Sequence, residues 1–155
     1  MLNTRQQTEM RVMVVLGIVQ QLLATRQSKL FSHLELTLSQ FGVLNHFNHK
    51  PKQSLLVTEL AEVMEMNQPG ITKIVTVLLN KGLLDAETDK EDRRKRHLKI
   101  TQKGLKTCGN IMTSLAPDIS HCFASWNNDD LSQMHEHMEI LMKWLDGHRD
   151  DIERG

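Results

Sequence analysis

Apolar residues recur at helical spacing between Phe41 and Leu79, but between Val12 and Val19 they fill almost every position. The second pattern sits in a proline-free run from about Thr4 to Leu36 and includes Val12, Met13, Val14, Val15, Leu16, Ile18 and Val19. It predicts a helix with almost no polar face, and such a helix must be buried on more than one side. Packing one face on the chain's own core and another on a second subunit is the simplest solution. A helix enclosed within a monomer is the alternative.

The rest of the chain is punctuated more clearly. Thr37-Leu38-Ser39-Gln40 has the spacing of a capping box and predicts a second helix with a stripe of Phe41, Leu44 and Phe47, ending at Lys50-Pro51. Ser54-Leu55-Leu56 reads as a short strand, and Thr58 as the cap of a third helix with Leu60, Ala61 and Met64 inward. Asn67 caps a fourth helix whose first turn tolerates Pro69; it runs to about Lys81, where Gly82 permits a left-handed turn. Two helices joined by the short linker Glu65 to Asn67 form a helix-turn-helix. Leu83 to Glu87 and Lys95 to Ile100 then read as strands around a charged turn, a β-hairpin wing. Thr101 caps a long fifth helix with an apolar stripe of Leu105, Cys108, Met112, Leu115, Ile119, Cys122 and Trp126, which Pro117 should kink or divide. A last helix from about Asp129 carries Leu131, Met134, Met138, Leu141 and Leu145. The expected fold is therefore mainly α with a small β wing. A winged helix-turn-helix occupies 37–100, and the flanking 1–36 and 101–155 form a helical dimerisation region.

At 155 residues the chain can bury a sizeable core without crosslinks. Its two cysteines lack a CxxC spacing, and the N-terminus lacks the features of a secretory leader. The apolar run is too short for a membrane span. These features point to a cytoplasmic protein with no membrane partner. A formal net charge of zero argues at first against a nucleic-acid partner, but the charge is segregated. Lys90, Arg93, Arg94, Lys95, Arg96, Lys99 and Lys103 stand against Glu91 and Asp92, a net of +5, whereas Asp129 to the end carries a net of −5. Only the first segment suits phosphate.

An α-helix fits the major groove of B-DNA, so a reading helix needs an apolar inward side and short polar or basic groups outside. The fourth helix meets that requirement, with Ile71, Ile74, Val75, Leu78 and Leu79 inward and Gln68, Thr72, Lys73 and Thr76 outward. Glutamine can pair with an adenine edge, threonine methyls can touch thymine methyls, and lysine can reach guanine or phosphate. A solvated polar face would look the same. The basic turn that follows, Asp89 to Arg96, tips the balance, because a cationic hairpin tip can place arginine in the minor groove. Arg93, Arg94, Lys95 and Arg96 are the expected wing contacts, and Asp92 can steady Arg94 by pairing with it.

On these residues the chain resembles the MarR family of bacterial regulators. The likeness runs through Leu38 to Leu44, Thr58 to Ala61, Ile71 to Val75 and Lys81 to Leu84. It is most specific in Asp89-Lys90-Glu91-Asp92-Arg93-Arg94 and in Leu98 to Gly104. Pro69-Gly70 departs from the small polar residues usual at the front of the reading helix. The resemblance implies a homodimeric regulator of transcription, a repressor rather than an enzyme, on a pseudo-palindromic operator in double-stranded DNA. It places Arg94 in the minor groove, Asp92 as its orienting acid, and Thr72, Lys73 and Thr76 on the reading face. It also implies a dimer joined by the terminal helices, with Val12, Val15, Leu16 and Val19 of the first and Met134, Met138, Leu141 and Leu145 of the last at the interface. A pocket for a small aromatic or phenolic effector is implied too, for which Arg26, His33 and His46 are candidate lining groups.

Other signals have plainer readings. His46 and His49 have helical ligand spacing but no recognised companion pattern, and His135 and His137 point to different sides of a helix, so no metal and no other cofactor is expected. Cys108 and Cys122 lie in an apolar stripe, where cysteine packs as a small hydrophobe. No GxSxG, HExxH or phosphate loop is present, which leaves a winged interaction module that does not read DNA as the alternative function.

Overall fold

The computed structural model describes residues 1–152, and Glu153 and Arg154, which close the acidic segment, lie outside them. The chain divides into two compact units, Met1–Leu115 and Ala116–Gly155. The first unit contains helix α1 (Thr4–Phe31), α2 (Leu38–His49), strand β1 (Leu55–Leu56), α3 (Val57–Val63), α4 (Gln68–Asn80), β2 (Leu84–Thr88), β3 (Arg96–Ile100) and most of α5 (Gln102–Cys122). The second contains the end of α5 and α6 (Asn128–Gly147). The three strands form one antiparallel sheet in the order β1-β3-β2. The architecture is the expected mainly α chain with a small β wing.

Each helix start in the first unit has a local cause. The Thr37 hydroxyl accepts the Gln40 amide at 3.2 Å while the Gln40 side chain accepts the Thr37 amide at 3.1 Å, the reciprocal box read from the sequence. Asn3 and Gln6 make a second such box at the start of α1. The start of α3 differs from expectation. Glu59 reaches back to the Leu56 amide at 2.8 Å, so the helix begins at Val57 and Thr58 lies inside it. Asn67 caps α4 by accepting the Gly70 amide at 2.8 Å. A side chain on Gly70 would press on that cap oxygen, which explains the glycine after Pro69. Gly82 ends the element at φ +69°, as the sequence required. Between α3 and α4 the chain turns through Glu65 at φ +52°, a left-handed conformation that costs a non-glycine residue about 1–2 kcal/mol. The Met66 amide bonding back to Ala61 at 3.0 Å helps to hold it.

The core is assembled from one face of each element. Phe41, Val43, Leu44 and Phe47 of α2 meet Leu60 and Ala61 of α3, Ile71, Val75 and Leu78 of α4, and Leu98 of β3, all buried. Fully burying a side chain of this size contributes roughly 1.5–3 kcal/mol. Cys108, Ile111 and Leu115 close the cluster from α5. Burial holds the Cys108 thiol up at about 11, so it stays protonated and packs as an apolar group.

Several sequence expectations need correction. Helix α1 stops at Phe31 instead of Leu36, because Phe31 and Leu36 both turn into the core and Thr37 must be extended to cap α2. Both wing strands begin one residue later than expected. Pro117 does not divide α5, but the helix ends at Cys122, so Trp126 lies beyond it. Of its stripe only Cys108 and Leu115 are buried; Leu105 is half-buried and Met112, Ile119 and Cys122 are exposed, so Cys122 does not pack in the core of its own chain. Most conspicuously, α1 is not enclosed. Val12, Met13, Val14, Val15, Ile18 and Val19 are all exposed, and Phe31 is the only buried residue of the helix. Helix α6 has no buried residue at all. Among the described residues no helix is long and apolar enough to cross a membrane.

Candidate nucleic-acid interface

The outward face of α4 is fixed by its inward one. With Ile71, Val75 and Leu78 buried, the helical period leaves Gln68, Thr72, Lys73 and Thr76 in solvent. The Thr72 hydroxyl donates to the Gln68 carbonyl at 2.8 Å, and the Thr76 hydroxyl donates to the Thr72 carbonyl at 2.8 Å. Each hydroxyl hydrogen is thereby committed to the backbone. What remains on offer is a methyl group and the lone pairs of an oxygen, a surface suited to thymine methyls and to hydrogen-bond donors.

The wing is organised by one carboxylate. Asp89 Oδ1 accepts the amides of Glu91 at 2.9 Å and Asp92 at 2.8 Å, while Oδ2 lies 2.7 Å from His97 Nε2 on β3. The His97 hydrogen bond first, and the two amides after it, hold the Asp89 carboxyl down at about 2. An ionised carboxylate only accepts, so Nε2 carries the hydrogen. Two main-chain bonds, Asp89 amide to Lys95 carbonyl and Lys95 amide to Asp92 carbonyl, both 2.9 Å, close the turn. Asp92 in turn accepts the Arg94 amide at 3.0 Å and lies 3.6 Å from the Arg94 guanidinium. The Arg94 side chain is nonetheless 95% exposed. Arg93, Lys95 and Arg96 are exposed as well.

Gln68 and Thr72 of α4, Arg94, Lys95 and Arg96 of the wing, and Leu56 to Thr58 at the start of α3 line one cleft of about 270 Å³. The fold thus gathers five of the expected contact residues around a single concave surface. Lys73, Thr76 and Arg93 lie outside that cleft. Lys99 is engaged by Glu87 at 3.0 Å, a bond that also holds the Glu87 carboxyl below its ordinary range. Asp89 and His97 were not singled out from the sequence. The aspartate was visible as a turn residue, but its partner eight positions away depends on the hairpin register, Thr88 opposite Arg96.

The remaining expected site residues fall elsewhere. Val12, Val15 and Val19 of α1 and Met134 and Leu145 of α6 are exposed, whereas Leu16, Met138 and Leu141 are half-buried. Arg26 and His33 are exposed and His46 is half-buried; none of the three lines the cleft above. Burial, then the neighbouring Lys50, lowers the pKa of His46, and its Nε2 is shielded from solvent. Among the described residues no three His, Cys, Asp or Glu side chains are grouped to hold a metal ion.

With this geometry in hand, likeness to known proteins can be placed on the chain. Residues 34–95, which span α2 to the wing tip, match the model of the MarR family. The HTH-type transcriptional regulator PetP of Rhodobacter capsulatus is 33% identical over 60 residues, which are 38% of this chain and 35% of PetP. The chain thus matches about a third of that relative's length. In overall fold it is similar to a MarR family protein from Bacillus stearothermophilus, with a TM-score of 0.74 and 17% identity over 94% of this chain and 99% of the other. It is also similar to MepR of Staphylococcus aureus, solved as a complex with DNA, with a TM-score of 0.65 and 14% identity over 85% and 96% of the two chains. At these identities the structural likeness establishes the fold.

Proposed function

From the match of residues 34–95 to the MarR family we infer that the chain is a MarR-family regulator of transcription that reads sequence in double-stranded DNA. The observation that carries this reading is the shared cleft, in which Gln68 and Thr72 face the same space as Arg94, Lys95 and Arg96. A helix in the major groove and an arginine in the adjacent minor groove need that proximity. Thr72, Lys73 and Thr76 read bases, Arg94 enters the minor groove with Asp92 orienting it, and Arg93, Lys95 and Arg96 bind phosphate.

The regulator works as a homodimer. Exposed apolar residues over most of α1 and along α6 support this, because contiguous apolar patches beyond a few hundred Å² mark interaction surfaces. Two copies then read half-sites about one helical turn, roughly 34–36 Å, apart. The winged lobe is 37–100, and the terminal segments 1–36 and 101–155 supply the dimer contacts. The regulator acts as a repressor, released when a small aromatic or phenolic acid changes the separation of the two reading helices.

Titration of the DNA upstream of its own gene over a salt series tests the reading. Arg94→Ala is expected to weaken binding by roughly ten- to a hundredfold, and Lys73→Ala to weaken it and lower the salt slope by about one. Unchanged affinity in both variants would sink the assignment and leave a winged module that binds protein instead.

A further inference from the structure

Thr101, Lys103 and Gly104, at the start of α5, form a motif that the DNA contacts above leave unused. The structure shows where their bonds go. The Lys103 ammonium donates to the Lys81 carbonyl at 2.7 Å, and the Thr101 hydroxyl donates to the Gly82 carbonyl at 2.7 Å. The Thr101 amide donates to the Leu83 carbonyl at 3.1 Å, and the Thr101 oxygen accepts the Gly104 amide at 3.0 Å. The carbonyls of the C-cap Lys81 and of Gly82 and Leu83, which follow α4, are thus taken up by Thr101 and the first turn of α5. Lys103 also brings a positive charge to the negative end of the α4 dipole. Gly104 is buried against this contact, and a Cβ there would run into the Leu83 carbonyl oxygen. The first turn of α5 thus meets the backbone of the turn that leaves α4, held there by the Thr101 and Lys103 side chains and by the close approach of Gly104 to Leu83.

We propose that Lys103, with Thr101 and Gly104, is a positioning residue that fixes the start of α5 against the turn that ends α4, so that a tilt of α5 is passed through that turn to the reading helix. The proposal rests on α4 being the DNA reader. It gives Lys103 a role distinct from that of the wing cations, since its charge is directed at the protein backbone.

The test compares the full-length protein on two duplexes of equal length, the DNA upstream of its own gene and a random sequence. Lys103→Met is expected to lower affinity for the upstream duplex roughly three- to tenfold while leaving the random duplex and its salt slope nearly unchanged. Lys103→Arg should recover most of the loss, and Gly104→Ala should lose selectivity further and lower the melting temperature, because the Leu83 backbone must give way to the added methyl. If Lys103→Met weakens both duplexes equally and cuts the salt slope by about one, Lys103 is a phosphate contact and the proposal is overturned. Unaltered selectivity in Lys103→Met overturns it too. Amide exchange at Thr101 and Gly104 of the free protein, whose N–H groups bond to the Leu83 carbonyl and the Thr101 hydroxyl, reads the joint without DNA. Faster exchange in Lys103→Met supports it, and unchanged exchange overturns it. A wild-type protein that does not prefer the upstream duplex refutes the DNA reading by itself, whatever the exchange result.

Discussion

Helices α4 and α1 are both rich in branched apolar residues, yet one is half sunk in the core and the other stands almost wholly in solvent. The difference lies in spacing. In α4 the apolar residues keep to one side and the chain itself supplies their cover, with Ile71, Val75 and Leu78 buried among α2 and α3. In α1 they occupy every side, and no face of a single chain can cover them all. In these two helices, then, the stripe confined to one side packs within the chain, and the run that fills every side stays exposed.

Substitutions can break that contrast. Leu78→Ala, in the fully buried stripe of α4, is expected to cost about 2–5 kcal/mol of unfolding free energy in urea titration, because it removes packed atoms and leaves a cavity. A loss under 1 kcal/mol would mean that α4 is not held by its inward face. The paired change Val15→Asp and Val19→Asp in α1 should instead spare the fold of the winged lobe and raise the dissociation constant of the proposed dimer at least a hundredfold. Sedimentation at several concentrations decides this. A doubly substituted protein that stays dimeric places the interface elsewhere.

These two stripes also show how far the sequence could be read. The Thr37 box, the Asn67 cap with Pro69, the stop at Gly82 and the basic hairpin are local codes, each complete within a few residues, and the structure contains all four. What escaped reading depends on contacts between distant positions. Leu36 continues a helical run in sequence but is needed in the core, so α1 ends early. Glu59 outcompetes Thr58 as a cap only because Leu56 presents its amide at the end of a strand. The Asp89–His97 pair requires the hairpin register, and the Lys103 bond spans 22 positions.

A smaller effect sharpens the contrast at the caps. Asn67→Ala should cost about 1 kcal/mol, seen as a modest shift of the urea midpoint, since it strands one amide at the start of α4. The same change at Asn3 should shift the midpoint far less, because the exposed first turn of α1 stabilises nothing packed on it. Equal shifts would contradict the comparison.

The smallest effect is one of acidity. The folded Asp89 carboxyl titrates near 2, below its ordinary 3.8, so its contribution to the wing is present above about 3.8 and lost as pH falls toward 2. Carboxyl chemical shifts followed between pH 5 and 2 should show Asp89 titrating near 2, and His97→Leu should bring it back toward the ordinary range. An Asp89 that titrates near 4 in the wild type would mean that the turn is not held as described.

That turn also bears on the entropy of recognition. Asp89 and Asp92 already hold the backbone from residue 89 to 95, so in the proposed complex the hairpin tip meets DNA with its main-chain bonds made beforehand. Freezing a flexible seven-residue loop on contact would cost about 1–2 kcal/mol per residue. Here only side-chain torsions such as those of Arg94 remain to be stilled, at roughly 0.5–1.5 kcal/mol for each. The disorder of the loop has been spent during folding, before any ligand arrives.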